Sequence, residues 1–337
     1  MIRLPVSLLF TAISFLFLLR LPAADAVFSA DGKRVWYTVA GIGSIGYLDI
    51  SGHDGATSSD RLVDISRTGG PKVIQGLAIS RTGNLLIAAP DAIWAFNPAT
   101  TKTVRVATLP AGFNASDLAY EESTGAILVW GVFLAKDHTV RLHAAYRIAK
   151  DTNRCVPVLI SGIGSWQSAA FDNSGHLFLG SGPDLWGGVL VPNENDPARQ
   201  YPWQIHAFRL AALGTPVTGE GVDATQILHG IGGGVSLWLT MRGPEGSTLV
   251  RIPRPALTKT ESGIDRLLSL ADRWAFQQKL ISSAQFASAE NALPRLPIVA
   301  VNADGSRVVY QTADAGLRRW WLLEKEAKPR LLIEESD

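Results

Sequence analysis

A short phrase recurs along this chain: an apolar strand, a tight turn that contains glycine, and a second apolar strand. Residues 27–32 lead into residues 34–37 in this way, and residues 76–83 lead into residues 84–87. The turn needs glycine because tight hairpins place a residue at positive φ, where a Cβ atom would clash. The flanking β-branched and aromatic residues suit buried strands. The phrase therefore predicts an antiparallel hairpin, and its repetition predicts a fold built from copies of one unit.

The copies recur roughly every 50 residues, close to the usual length of a propeller blade. Their turn glycines are Gly32, Gly83, Gly125, Gly175, Gly233 and Gly305. Third and fourth strands are visible as well, for example at residues 93–96 and 61–65. Four short strands per repeat are typical of this architecture. The sequence therefore predicts an all-β fold, a β-propeller of six four-stranded blades, and the gap before Gly305 leaves room for a seventh.

Two stretches of the repeat resemble known propeller families. Residues 76–87, followed by residues 93–96, resemble the blade of NHL and gluconolactonase-type propellers, and residues 28–35 resemble the WD-like repeat of the periplasmic Tol-system propeller. The resemblance concerns blade pattern and extends over the whole mature chain. These families include lactonases, lyases and interaction modules, so the fold alone does not select among these functions. The gluconolactonase type implies a divalent metal, such as calcium, held at the central channel.

The first 26 residues predict a signal peptide. Arg3 precedes an apolar run over residues 4–19 that is short for a membrane span, and Ala24-Asp25-Ala26 supplies the small residues of a cleavage site. The expected organisation is a signal peptide over residues 1–26 and a single propeller domain over residues 27–337. The mature chain is expected to have no membrane span and to be secreted or periplasmic. An uncleaved N-terminal anchor is the alternative.

Composition and motifs exclude several functions. Lys and Arg number 31 against 30 Asp and Glu, which gives no basic surface for nucleic acid. Cys155 is the single cysteine, so it forms no disulfide within the chain, and it is expected to be a buried strand residue rather than a reactive thiol. Residues 41–46 have the spacing GxGxxG, but another strand follows where a dinucleotide site needs a helix. We expect a monomer without a cofactor.

Three aromatic residues stand apart from the predicted strands. They bracket a polar segment rich in proline and glycine, over residues 182–202, that is interpreted as an insertion at the rim: Trp186, Tyr201 and Trp203. Exposed aromatic side chains on such a loop stack well on a sugar or a partner protein. The alternative is a loop that folds onto its own aromatic residues.

Polar residues also mark the starts of the innermost strands, which face the central channel of a propeller. They are Gln75, Asp117, Gln167 and Asp223. Converging carboxylates and amides bind a polar ligand or a metal, or they hydrate the channel.

The sequence favours a non-catalytic module that binds a protein or a glycan. The alternative is a metal-dependent, lactonase-like hydrolase that uses the central channel. No catalytic residue is assigned in either case.

Overall fold

A computed structural model describes most of the predicted repeat region. It covers residues 26–39, 43–50, 60–134, 140–171, 175–182, 184–212, 224–227, 236–243, 246–253, 285–286, 299–302, 306–314, 317–324 and 329–336. Residues 1–25, the body of the predicted signal peptide, lie outside the described residues. Among the residues described, no helix has the length and apolarity needed to cross a membrane.

Strands dominate the described residues, and they fall into six groups of four. The first blade consists of β1 (Ala26–Phe28), β2 (Arg34–Thr38), β3 (Ser44–Asp49) and β4 (Asp60–Asp64). The second consists of β5 (Gly76–Ile79), β6 (Leu85–Ala89), β7 (Ala92–Asn97) and β8 (Lys102–Thr108). The third consists of β9 (Phe113–Glu121), β10 (Ala126–Leu134), β11 (Val140–Ile148) and β12 (Cys155–Ser161).

The second half of the chain repeats the pattern. The fourth blade consists of β13 (Ser168–Phe171), β14 (His176–Ser181), β15 (Asp184–Pro192) and β16 (Trp203–Ala212). The fifth consists of β17 (Ala224–Ile227), β18 (Ser236–Gly243), β19 (Gly246–Pro253) and β20 (Gln285–Phe286). The sixth consists of β21 (Val299–Val301), β22 (Arg307–Asp314), β23 (Leu317–Glu324) and β24 (Arg330–Ser336). A short 3₁₀ helix, Ile65–Thr68, follows the first blade.

Within each blade the four strands are consecutive in the chain and antiparallel to their neighbours. The first strand of each blade is the innermost: β1 contacts β5, β5 contacts β9, β9 contacts β13, and β13 contacts β17. Strand β21 of the last blade contacts β1 of the first, so the first and last blades are neighbours. The predicted all-β propeller of six four-stranded blades is therefore confirmed.

The hairpin turns after the innermost strands confirm the role predicted for glycine. Gly32, Gly83, Gly125 and Gly175 have φ of 66°, 80°, 72° and 81°, while Gly233 and Gly305 lie outside the described residues. A polar side chain opens several of these turns and accepts a backbone N–H from the far side. Ser29 Oγ accepts from Arg34 at 2.9 Å, Ser80 Oγ from Asn84 at 3.1 Å, and Asn302 Oδ1 from Arg307 at 2.8 Å.

Side-chain packing joins the first blade to the sixth. The first blade takes its four strands from residues 26–64 and the sixth from residues 299–336, so no strand is exchanged between the two blades. The shared core includes Phe28, Tyr37 and Trp320, all at most 3% exposed. The rings of Tyr37 and Trp320 lie 5.0 Å apart, and the guanidinium of Arg307 lies 5.8 Å from the Phe28 ring. The ring closure therefore depends on buried aromatic contacts.

The third and fourth blades are joined in a different way. Their outermost strands, β12 and β16, pair in parallel from Val158 opposite Trp203 to Ser161 opposite His206. The two blades thus form one eight-stranded sheet, whereas the other blades remain separate sheets of four. The strands of the fourth blade also correct the interpretation of residues 182–202 as a rim insertion, because Asp184–Pro192 is the third strand of that blade.

The start of β1 bears on the predicted processing site. Ala26 is paired with Tyr37 and is only 5% exposed. Cleavage directly after Ala26 would remove one paired residue and leave Val27 and Phe28 in the strand. The position of the cleavage site remains a prediction.

We expect Gly46→Ala to destabilise the propeller. Gly46 lies opposite Tyr37 in the β2–β3 pair, and a Cβ atom there would lie 1.9 Å from Tyr37 Cζ. The ring is held by Trp320 and by a hydrogen bond from its hydroxyl to Asp60 Oδ1, so the added methyl should cost about 1–3 kcal/mol. The measurement is the free energy of unfolding in urea.

Gly164→Ala is the matched control, because no heavy atom lies within 4 Å of its Cβ position. Its unfolding free energy should stay within about 0.5 kcal/mol of the wild type. Equal stability of the two variants would contradict the packing of Tyr37 on Gly46.

Candidate functional site

Two of the residues predicted at the channel, Gln75 and Gln167, lie at the starts of innermost strands. Gln75 directly precedes β5 and Gln167 directly precedes β13, and their backbone N–H groups donate to Ala88 and Gly180 at 2.8 Å. We call the end of the ring where the innermost strands start the entrance end, and the other the far end. Asp223 immediately precedes β17 but lies outside the described residues.

Asp117 lies deeper than predicted, in the middle of the nine-residue strand β9. A bulge there shifts the pairing with β10, so that Trp130 opposes Asp117 and Gly131 opposes Ala115. The Asp117 side chain packs on Gly76 of the second blade, where a Cβ atom would lie 2.2 Å from Oδ1. Oδ1 also accepts the Leu118 N–H at 2.7 Å. The carboxylate is 6% exposed, so it is a buried part of the blade junction.

Asn114 completes this cluster, although the sequence analysis did not predict it as a channel residue. Gln75 Nε2 donates to Asn114 Oδ1 at 3.4 Å, which brings Gln75, Asn114 and Asp117 together between the second and third blades. We call these three residues the entrance cluster. Gln167 is engaged elsewhere, since its Oε1 accepts the Gly182 N–H at 2.9 Å. Only the position of Asn114 in β9, before the bulge, could have indicated it. That bulge cannot be recognised without the strand pairing.

The entrance cluster does not fit a divalent metal such as calcium. Calcium takes six to eight oxygen ligands, usually with several carboxylates. The cluster supplies one carboxylate and two amides, and Asn114 Oδ1 and Asp117 Oδ1 already accept hydrogen bonds within the protein. Within the described residues, no group of three or more His, Cys, Asp or Glu side chains could hold a metal ion.

The three predicted aromatic residues do not share one surface. In the β15–β16 pair, Trp186 lies opposite Arg209 and Trp203 lies opposite Pro192, so the two indoles are about 20 Å apart along the strand. Trp186 is at the entrance end and Trp203 at the far end. Both are half-buried against a core between the third and fourth blades that contains Trp130 and Trp166. Only Tyr201 is exposed, at 44%.

The loop that carries Tyr201 is closed by its own hydrogen bonds. Asn193 donates its N–H to Pro202 O at 2.9 Å, and Arg199 donates to Asp196 O at 3.1 Å. The Asp196 carboxylate accepts the backbone N–H of Tyr201. These contacts hold the Tyr201 backbone in one place at the far end of the fourth blade, while its ring remains in solvent.

A charged pair lies beside Trp203 at the same end. The Arg147 guanidinium stacks over the Trp203 ring at 3.9 Å from its centroid, and Arg147 Nη2 lies 3.9 Å from Glu121 Oε2. Both charged side chains are 10% exposed. Burial lowers the pKa of Arg147 and the Glu121 carboxylate opposes that shift, so the arginine stays cationic.

Sequence reasoning missed Arg147 and Glu121. The available signal was an arginine inside the otherwise apolar stretch 144–148. The partners of that arginine come from β9 and from the next blade, and neither is near it in the sequence. We call Glu121, Arg147 and Trp203 the far-end cluster, and Tyr201 lies two residues before Trp203 in the chain.

No protein-family model and no curated protein matches the sequence. Solved structures match most of its length. A putative gluconolactonase has a TM-score of 0.54 at 11% identity, covering 92% of this chain and 89% of that chain. Regucalcin, a calcium-binding protein from Agrobacterium tumefaciens, has a TM-score of 0.52 at 15% identity, covering 87% of this chain and 83% of that chain. A chain of a nidogen/laminin complex has a TM-score of 0.52 at 10% identity, covering 88% of this chain and 92% of that chain. These similarities establish the fold: the chain is a β-propeller.

We expect Cys155 to be unreactive in the folded protein. Burial raises the pKa of its thiol from the ordinary value of 9.0 to about 11, and Sγ donates to Thr108 O at 3.2 Å. Because the thiolate is the reactive form, raising the pKa from 9.0 to about 11 lowers the thiolate population at pH 8 about 100-fold. The measurement is the rate of alkylation by iodoacetamide at pH 8, in buffer and in denaturing urea. Equal rates in the two conditions would show that the thiol is accessible and ionised as in a free peptide.

Proposed function

We propose that this propeller is an exported, non-catalytic binding module that takes a glycan or protein partner at the far end of its third and fourth blades. The observation that carries the proposal is Tyr201, an aromatic side chain 44% exposed on a loop closed by hydrogen bonds. A fixed backbone lowers the entropy lost on binding. A tyrosine ring adds apolar contact area with a hydroxyl that bonds to polar partners.

The neighbouring residues support the same surface. The Arg147 guanidinium stacks over the ring of Trp203, two residues after Tyr201, and the β12–β16 pairing ties the two blades together at Trp203. A binding surface on such a scaffold needs little rearrangement when it meets a partner. The similar chain of the nidogen/laminin structure belongs to a protein complex, which is consistent with such a role for this fold. Export is proposed from the sequence of residues 1–26.

We expect Tyr201→Ala to weaken partner binding about tenfold, as a truncated aromatic contact residue does. The purified mature protein is tested on a glycan array and in pull-downs from an envelope extract. Leu331→Ala is the matched control, since Leu331 is also 44% exposed but lies on the outermost strand of the sixth blade. Partners that bind wild type and both variants equally would remove Tyr201 from the binding surface.

The competing function is a metal-dependent, lactonase-like hydrolase that uses the channel. The buried carboxylate of Asp117 beside two amides at the entrance end favours it. The ligand count argues against it, so we expect less than 0.1 equivalent of any divalent metal in the purified protein after dialysis, by elemental analysis. A stoichiometric divalent ion that Asp117→Ala removes would favour the hydrolase and contradict the binding module.

A further inference from the structure

Arg147 is a buried cation whose hydrogen-bonding capacity is not used. Its side chain is 90% buried, yet Nε has no hydrogen-bond partner within the described residues. The nearest charged acceptor is Glu121 Oε2, whose 3.9 Å distance from Nη2 is too long for a hydrogen bond. Leaving a buried charged donor unsatisfied is costly, because its hydration has been lost without replacement. Such a group calls for an acceptor that comes from outside the chain.

The same guanidinium offers Nη2 toward Glu121, and the gap between Nη2 and Oε2 defines where an outside acceptor fits. An oxygen atom at about 2.8 Å from each of the two atoms forms a triangle over the 3.9 Å gap. It would accept a hydrogen bond from the guanidinium and donate one to the carboxylate. A hydroxyl group does both, whereas a carboxylate ligand only accepts and an ammonium ligand only donates.

Charge selects the same chemistry. The guanidinium and the carboxylate are opposite unit charges at close range, so their electrostatic potentials largely cancel at a point between them and a charged ligand gains little net attraction there. An anionic ligand would be repelled by Glu121, and a cationic ligand would be repelled by Arg147. The site therefore favours a neutral ligand that carries hydroxyl groups.

Both side chains are held before any ligand arrives. The Arg147 guanidinium carbon lies over the Trp203 ring, 3.9 Å from its centroid, and this contact helps to fix the position of the guanidinium. Glu121 Oε2 accepts from Thr124 Oγ1 at 2.6 Å and Oε1 accepts from Ser123 Oγ at 3.4 Å. Pre-organised groups of this kind lose little freedom on binding.

We propose that the far-end cluster is a saccharide site, in which a hydroxyl of an uncharged sugar lies between Arg147 and Glu121 and the exposed Tyr201 ring packs on the sugar chain. This inference rests on the proposed binding function and names its ligand class. The site lies at the opposite end of β9 from Gln75 and Asn114, since Glu121 is the last residue of that strand. It is therefore separate from the channel entrance.

The test is titration calorimetry of the mature protein with neutral tetrasaccharides (β-1,4-glucan, α-1,4-glucan and chitin types) and with a uronic acid tetrasaccharide of the pectin type. At least one neutral probe should bind, and the acidic probe should bind at least tenfold more weakly. Glu121→Gln and Arg147→Lys should each weaken the neutral probe about 10- to 100-fold, the range for hydrogen bonds to charged groups. Near-ultraviolet circular dichroism of each variant checks that the aromatic packing is retained.

Glu122→Gln is the matched control, because it changes the adjacent carboxylate in the same turn and should leave affinity unchanged. Should neither Arg147→Lys nor Glu121→Gln change the binding of a neutral probe that Tyr201→Ala weakens, the bridging site is wrong while the binding module stands. Failure of every neutral probe at 10 mM, or preference for the acidic one, overturns the saccharide site. Loss of affinity in Glu122→Gln equal to that in Glu121→Gln would overturn it too.

Discussion

The ring depends on the packing of Tyr37 against Trp320, where the first blade meets the last. No strand crosses this boundary in the described residues, so backbone pairing does not hold it. Tyr37 lies over Gly46 on its own blade, bonds to Asp60 on β4 and packs on Trp320 of the sixth blade. Burying aromatic side chains of this size contributes roughly 1.5–3 kcal/mol each. One side chain thus connects three strands of the first blade to the end of the chain.

A ring closed by packing places its other joints under a shared constraint. A blade cannot bury both of its faces alone, so each depends on its neighbours. The third and fourth blades add backbone hydrogen bonds between β12 and β16 to their shared core. This parallel pair is the most strongly joined blade boundary among those described, and the far-end cluster spans it. Arg147 comes from β11 and Trp203 from β16, so their stacking distance is set by the pairing that fuses the two sheets.

Local signals account for what the sequence predicted well. The glycine turns follow from positive φ at Gly32 and its equivalents, and strand pairs follow from the apolar phrases beside them. Gln75 and Gln167 directly precede such phrases, and each lies immediately before an innermost strand. The β12–β16 pairing and the contact of Arg147 with Glu121 join residues from different strands and blades. Single-sequence patterns carry no information about such contacts. Trp186 and Trp203 were grouped around one loop, although Trp186 lies on β15 and Trp203 on β16.

The two ends of the ring differ in how far their polar groups satisfy one another. At the entrance end, Gln75 bonds to Asn114, Asp117 accepts from Leu118, and Gln167 accepts from Gly182. A ligand there must break these bonds before it forms its own, so its net gain is small. At the far end, Arg147 Nε is a buried donor with no acceptor in the described residues. A ligand that supplies one removes an existing cost as well as adding a bond. The free energy of binding therefore favours the junction of the third and fourth blades over the channel.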